Sequence, residues 1–303
     1  MKELTHFING AQVKGTSGDF GDVYNPATGE VQAKLPLANP AEVSKAVEDA
    51  AEAQIAWGAT NPQKRARVMM KMVALMNRDM DVLAEALSRE HGKTIPDAKG
   101  DLQRGLEVIE YCVGAPQMLK GEYTDDAGPG IDMYSMRQPL GVVASIMPFN
   151  FPAMMPLWHV GPALACGNAV VLKPSERDPS VPLMLAELFV EAGLPKGVFQ
   201  VVNGTKEAVD TLLDHEIIQG VSFVGSTPIA QYIYSRGIAA SFALFLILHN
   251  RYGTGNHVTL ITFIALVGAV AWARIWLKRH TLLELLSGGL IGFFSLYLVL
   301  SKS

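Results

Sequence analysis

The chain has 303 residues, with 29 acidic against 25 basic side chains and a formal charge of −4, which is room for about two domains and lacks the basic runs of a nucleic-acid binder. The charge is uneven: residues 238–303 hold five basic residues (Arg251, Arg274, Lys278, Arg279, Lys302) and one acidic residue, Glu284, so this stretch carries +4 and the 237 residues before it −8. Only Cys112 and Cys166 occur, which excludes a disulfide framework, and no charged-then-apolar leader opens the chain, so residues 1–237 are expected to be cytoplasmic with reduced thiols.

At the start, Phe7-Ile8-Asn9-Gly10 followed by Val13-Lys14-Gly15 sets an Asn-Gly turn between short apolar runs, the pattern of a β-hairpin. A second turn is predicted at Asn25-Pro26-Ala27-Thr28-Gly29. From Pro40 to about Leu119 the apolar spacing becomes helical, with Val43, Val47, Ala50 and Trp57 in one segment and Val68, Met72, Leu75 and Met76 in the next. From Gly141 onward strands and helices alternate. Strands are predicted at Gly141–Met147, Ala169–Leu172, Val198–Val202 and Gly220–Val224, with helices near Ala153–Ala165, Val181–Ala192 and from Lys206. Short apolar strands separated by helices predict an α/β fold with a Rossmann-like, mostly parallel sheet, on which ligands bind at the carboxyl ends of the strands. The expected organisation is residues 1–140 as N-terminal hairpin, helices and oligomerisation elements, 141–237 as an incomplete Rossmann-like nucleotide-binding domain, and 238–303 as a helical tail.

Three clusters fall at predicted strand ends: Pro148-Phe149-Asn150-Phe151-Pro152, Lys173-Pro174-Ser175-Glu176, and Phe223-Val224-Gly225-Ser226-Thr227. The Asn150 amide can donate to a developing oxyanion, Lys173 and Glu176 can hydrogen-bond sugar hydroxyls, and Gly225-Ser226 at a helix start can take a phosphate on free N–H groups. Read singly, Lys173 and Glu176 are also an i,i+3 surface ion pair, Gly225-Ser226 a helix cap, and Asn150 a turn residue. Taken together they describe a dinucleotide site without a Gly-x-Gly-x-x-Gly turn.

Residues 1–236 resemble the N-terminal part of an aldehyde dehydrogenase, in particular the CoA-acylating methylmalonate-semialdehyde dehydrogenase branch. The resemblance rests on Met147-Pro-Phe-Asn-Phe-Pro-Ala-Met-Met-Pro-Leu-Trp158, Cys166-Gly-Asn and Leu172-Lys-Pro-Ser-Glu-Arg177. It implies NAD as cofactor, with Phe149, Lys173, Glu176, Gly225 and Ser226 as cofactor residues and Asn150 in the oxyanion hole. Aldehyde and CoA are the implied substrates, and a homo-oligomer the implied assembly. Gly100-Asp-Leu-Gln-Arg-Gly-Leu-Glu107 also resembles that branch and implies Arg104 as the cation for the substrate carboxylate; a solvated salt-bridge role for Arg104 stays open. Ala230 stands where many members of the family have a glycine.

In that family a cysteine thiolate attacks the aldehyde, hydride passes to NAD, and a thioester is left for CoA. The nucleophile and a glutamate follow the Gly225-Ser226 turn there, and no cysteine follows Cys166 here. Cys166 at a helix end and Cys112 in Val108-Ile-Glu-Tyr-Cys-Val read as inert small hydrophobes. The expected result is an NAD-binding portion that is catalytically inactive, truncated before the catalytic domain, with one edge of the sheet open.

The tail contains apolar runs at Ile238–Leu248, Val258–Ala273 and Leu285–Leu300, which predict two or three transmembrane helices and a chain attached to membrane lipid. Arg274-x5-His280-x3-Glu284 between two of these runs resembles the third motif of the membrane type 2 phosphatidic acid phosphatase family. That resemblance implies Arg274 on phosphate, His280 as nucleophile and Glu284 orienting it; Ala273 and Glu284 depart from the family's serine and aspartate, and its other two motifs are absent. An interfacial role for Arg274, Lys278, Arg279 and His280 is the alternative. The chain thus reads as two incomplete families joined at Gly237–Ile238, with a membrane-anchored phosphatase remnant or a chimeric product without enzymatic function as the other readings.

Overall fold

A computed structural model describes residues 2–237. The chain forms two compact units, Met1–Gly225 and Ser226–Ser303. Strand β1 (Lys2–Glu3) precedes the first hairpin, β2 (His6–Ile8) and β3 (Ala11–Val13), which turns through Asn9 and Gly10 at φ 52° and 72°. Those left-handed angles are the ones Asn-Gly tolerates. The second hairpin, β4 (Phe20–Tyr24) and β5 (Val31–Pro36), closes at the predicted turn, where the Asn25 carboxamide accepts the Ala27 N–H at 3.0 Å. β1 joins β5 in parallel, and the resulting β1-β5-β4 sheet has a small core of Leu4, Val23, Ala33 and Leu35.

Helix α1 (Pro40–Gly58) opens with a capping box, in which the Asn39 side chain takes the Glu42 N–H and the Glu42 carboxylate takes the Asn39 N–H. Its apolar stripe is buried, and the Trp57 indole donates to the Leu164 carbonyl at 3.0 Å. Helix α2 (Pro62–Arg78), capped by Asn61, buries Val68, Met69, Met72 and Met76. Helix α3 (Met80–His91) ends at Gly92, φ 83°, and α4 (Ile95–Val113) starts from the Thr94 cap and is followed by the single turn α5 (Ala115–Met118). The ribbon β6 (Tyr123–Gly128) and β7 (Ile131–Tyr134) is exposed along nearly its whole length.

The alternating part follows as predicted: β8 (Val142–Ile146), α6 (Met154–Ala165), β9 (Ala169–Lys173), α7 (Ser180–Glu191), β10 (Phe199–Val201), α8 (Lys206–Asp214) and β11 (Ile218–Phe223). All five residues of β9 are buried, as in a strand covered on both faces. The sheet order is β11-β8-β9-β10-β2-β3. The expected mostly parallel sheet is a mixed one: β11, β8, β9 and β10 run parallel, while the N-terminal hairpin extends the sheet through two antiparallel pairings, β10 with β2, where Val201 lies opposite Phe7, and β2 with β3. Pairing with β2 satisfies the outer backbone groups of β10. Among the described residues β11 is the edge strand at the other side, and Ser222 on it contacts His159 of α6.

The expectation of a membrane-associated chain is corrected. Among the described residues no helix is long and apolar enough to cross a membrane. The physical reason is a mismatch of length and polarity: the apolar helices α6 and α7 have 12 residues each, about 18 Å against a hydrocarbon core of about 30 Å, and the 19-residue helices α1 and α4 carry charges along their lengths. The expected tail helices, and Arg274, His280 and Glu284 with them, lie outside the described residues.

Candidate functional site

The carboxyl ends of three neighbouring parallel strands assemble the site. β9 ends in Lys173, whose side chain is 8% exposed and whose ammonium lies 2.9 Å from the Glu176 carboxylate. Burial, the largest single influence, works to raise the Glu176 carboxyl, but the charge and hydrogen bond of Lys173, a backbone N–H and the charge of Arg177 together hold that group below the usual carboxylate range. The pair is thus ionised and held at the strand end, one side facing inward and the other reaching solvent.

β8 ends beside it, in the register Ile146 opposite Lys173, and runs into the turn that carries Phe149 and Asn150. Both are exposed, and the Phe149 ring stacks under the Arg177 guanidinium at 4.7 Å. Among the described residues the Asn150 carboxamide has no partner, so its N–H groups remain available to a ligand oxygen. Its backbone is held: the Asn150 carbonyl accepts from Lys93 Nζ at 2.7 Å. The same ammonium donates to Asp101 at 2.8 Å and lies 4.1 Å over the Phe151 ring, while the other Asp101 oxygen accepts the Met154 N–H at 2.7 Å. Lys93 and Asp101 therefore clamp both ends of the Phe149–Ala153 turn. Nothing in the helical spacing singled them out; the only local signal is that Lys93 follows the left-handed Gly92 that ends α3.

β11 lies on the other side of β8, Phe223 opposite Ile146, and Gly225 follows it. A Cβ on Gly225 would stand 2.3 Å from the Phe223 ring, so a glycine lets the chain fold back over that ring. Ser226 begins the second unit; it is exposed, residues 227–237 are helical, and its carbonyl accepts the Ala230 N–H at 2.9 Å as the first bond of that helix. Phe149, Asn150, Lys173, Glu176 and Gly225 are thus brought to adjacent strand ends. Arg104 sits on α4, one turn beyond Asp101, exposed and with no ion pair among the described residues, and its carbonyl accepts the Trp158 indole N–H at 3.1 Å.

Beneath the Lys173–Glu176 loop lies a carboxylate that sequence reading missed. Asp178 is 2% exposed, and its Oδ1 has no hydrogen-bond partner. Burial pushes its carboxyl up to about 8, with Ser175 pulling the other way and Glu90 and Asp101 adding to the rise. Its only sequence signal is position, two residues after Glu176.

Neither thiol belongs to this end of the sheet. Cys112 is 2% exposed, and burial followed by the nearby Cys166 pushes its thiol up to about 12. Cys166 caps the end of α6 and precedes β9, at the strand's amino end, and burial raises its thiol against the opposing charge of Arg65.

Comparison with known proteins places this geometry among dehydrogenases. The family model described as Aldehyde dehydrogenase family matches residues 13–248. A malonate-semialdehyde dehydrogenase of Pseudomonas aeruginosa is 53% identical over 237 residues, covering 78% of this chain and 48% of that protein. The acylating mitochondrial methylmalonate-semialdehyde dehydrogenase of Arabidopsis thaliana is 47% identical over 236 residues, covering 78% of this chain and 39% of that protein. Among solved structures, one named for methylmalonate-semialdehyde dehydrogenase from Sinorhizobium meliloti 1021, complexed with NAD, superposes with a TM-score of 0.79 at 61% identity over 80% of this chain and 49% of that one. An Escherichia coli NADP-dependent enzyme superposes with a TM-score of 0.76 at 33% identity, over 79% of this chain and 50% of that one. The chain spans about half the length, or less, of these relatives.

Proposed function

Because this chain belongs to the aldehyde dehydrogenase family, we propose that its described residues are the NAD-binding portion of a methylmalonate-semialdehyde dehydrogenase of the CoA-acylating type. The observation that carries this reading is the Lys173–Glu176 pair, 2.9 Å apart at the end of β9, beside the Asn150 turn that follows β8, the strand to which β11 pairs. An ammonium and a carboxylate side by side fit vicinal ribose hydroxyls, each of which both donates and accepts. The glycine at 225 leaves backbone open to a pyrophosphate; Ser226, taken by itself, offers a hydroxyl and a helix-start N–H of the kind a phosphate accepts. Phe149 flanks the same strand end. The ionised Glu176 favours NAD over NADP, since a 2′-phosphate beside it meets like charge.

NAD, when bound, supplies the hydride acceptor. The chain's own residues position the rest: the Asn150 amide donates to the aldehyde oxygen, and Arg104 receives the carboxylate of malonate or methylmalonate semialdehyde. No thiolate serves this site within the 303 residues, because Cys112 is sealed in the core and Cys166 lies at the other end of β9. The chain by itself therefore binds NAD without oxidising aldehyde. The exposed Tyr123, Ile131, Met133 and Tyr134 of the β6–β7 ribbon favour self-association.

Calorimetric titration of the full chain with NAD tests the site. A Lys173→Ala/Glu176→Ala double variant is expected to lose at least tenfold in affinity, and NADP to bind more weakly than NAD; equal affinity in the variant removes the assigned residues. With semialdehyde, CoA and NAD, no NADH is expected to form. Turnover abolished by Cys166→Ser would overturn the assignment of inactivity.

A further inference from the structure

At the amino-terminal end of the parallel strands lies an open cavity of about 610 Å3, lined by the end of α1, the first turn of α2, the linker into β8 and Cys166. Its volume is in the range of small-molecule sites, about 300–1,000 Å3. Two arginines, Arg65 and Arg137, line it, and no Asp or Glu does, in a stretch of chain that is otherwise acidic.

Arg65 is 4% exposed. Its Nε donates to the Ala165 carbonyl at 2.9 Å, and its Nη1 to the carbonyls of Gly58 at 3.3 Å and of Thr60. All these acceptors are neutral; no ion pair forms, and Nη2 has no partner among the described residues. A guanidinium taken out of water with its charge unbalanced is costly, and an anion in the cavity would offset that cost. The guanidinium is also immobilised: a Cβ on Gly167 would stand 3.1 Å from Nη1, so that glycine and the three carbonyls fix the plane of the fork. Arg137, which also lines the cavity, is exposed, again without an ion pair among the described residues. Asn61 lines the cavity too: its carboxamide oxygen is engaged by the Gln63 N–H at 2.8 Å, which leaves its amide N–H groups without a partner among the described residues, at the positive end of the 17-residue helix α2.

We propose that this cavity binds a phosphate group, as inorganic phosphate or a phosphate monoester, between Arg65 and Arg137. Two guanidiniums and a helix start match the three oxygens and double charge of a phosphate. The site is separate from the proposed NAD site: Cys166 precedes β9, whereas Lys173 ends it, about 13 Å along the strand from Ala169 at its start.

Cys166 lines the cavity and reports its occupancy, while the buried Cys112 is a silent control. The rate at which iodoacetamide alkylates Cys166 in the full chain should fall at least fivefold, saturably, as inorganic phosphate replaces chloride at constant ionic strength. Arg137→Gln, a change at an exposed position, should raise the half-protecting concentration at least tenfold. NAD should leave the rate unchanged, and Lys173→Ala/Glu176→Ala should leave phosphate protection intact, so failure of the nucleotide reading would not touch this one. Equal rates in phosphate and chloride, equal protection in Arg137→Gln, or calorimetry showing no saturable phosphate binding in the wild type would each overturn the proposal.

Discussion

Replacing Lys93 by Met isolates what holds the Asn150 turn. The substitution keeps the length of the side chain and removes its charge, leaving the Asp101 side chain, which is 0% exposed, without a cation. Breaking a buried pair by removing one partner costs about 3–5 kcal/mol. Two features reduce that here: Lys93 is itself 16% exposed, and Asp101 keeps its charge-assisted bond from the Met154 N–H at 2.7 Å. The expected loss is about 2–4 kcal/mol, or a drop in melting temperature of about 5–12 °C for a unit of this size. Asp101→Asn retains an acceptor for Met154 and should cost less. The Lys93→Met/Asp101→Asn double variant should fall short of the sum of the singles by at least about 1 kcal/mol, because both remove the same contact. Urea unfolding supplies the free energies, and amide exchange at Met154 and Met155, whose N–H groups bond Asp101 and the Phe151 carbonyl, should accelerate in Lys93→Met before global unfolding does. A Lys93→Met variant within about 0.5 kcal/mol of the parent, with unchanged exchange in the turn, would refute the clamp.

Asp178 should make stability fall with pH. Its folded carboxyl is pushed up to about 8, above its unfolded value, so the folded state binds more protons between about pH 4 and pH 8 and loses stability as pH rises through that window. Asp178→Asn should flatten this slope, and its advantage over the parent should grow by at most about 1.4 kcal/mol per pH unit until about pH 8; parallel pH profiles would contradict it. Gly105→Ala should destabilise by about 1–3 kcal/mol despite the better helix propensity of alanine, since the new Cβ would stand 2.5 Å from Leu157 Cδ1 and 3.3 Å from the Met154 backbone where α4 crosses α6. A gain in urea midpoint would show that this crossing has slack.

Local chemistry was readable from the chain. Asn9-Gly10 tolerates the left-handed angles of a tight hairpin, and the apolar runs from Val142 to Phe223 are separated by helices of the length a parallel crossover needs. Because ligands collect at the carboxyl ends of such strands, position along the chain was enough to single out Asn150, Lys173, Glu176 and Gly225 as candidates, and the structure brings them to adjacent strand ends. Pairings between distant segments were not readable. That β2 lies antiparallel beside β10, 190-odd residues away, depends on which edge is left open once the parallel strands have assembled, and three-residue strands carry too little pattern to specify a partner. For the same reason the roles of Lys93, Asp101 and Asp178 stayed invisible. Each is an ordinary charged residue in sequence, and only burial, which removes water and makes a partner or its absence decisive, turns two of them into a clamp and the third into a carboxyl that resists ionisation.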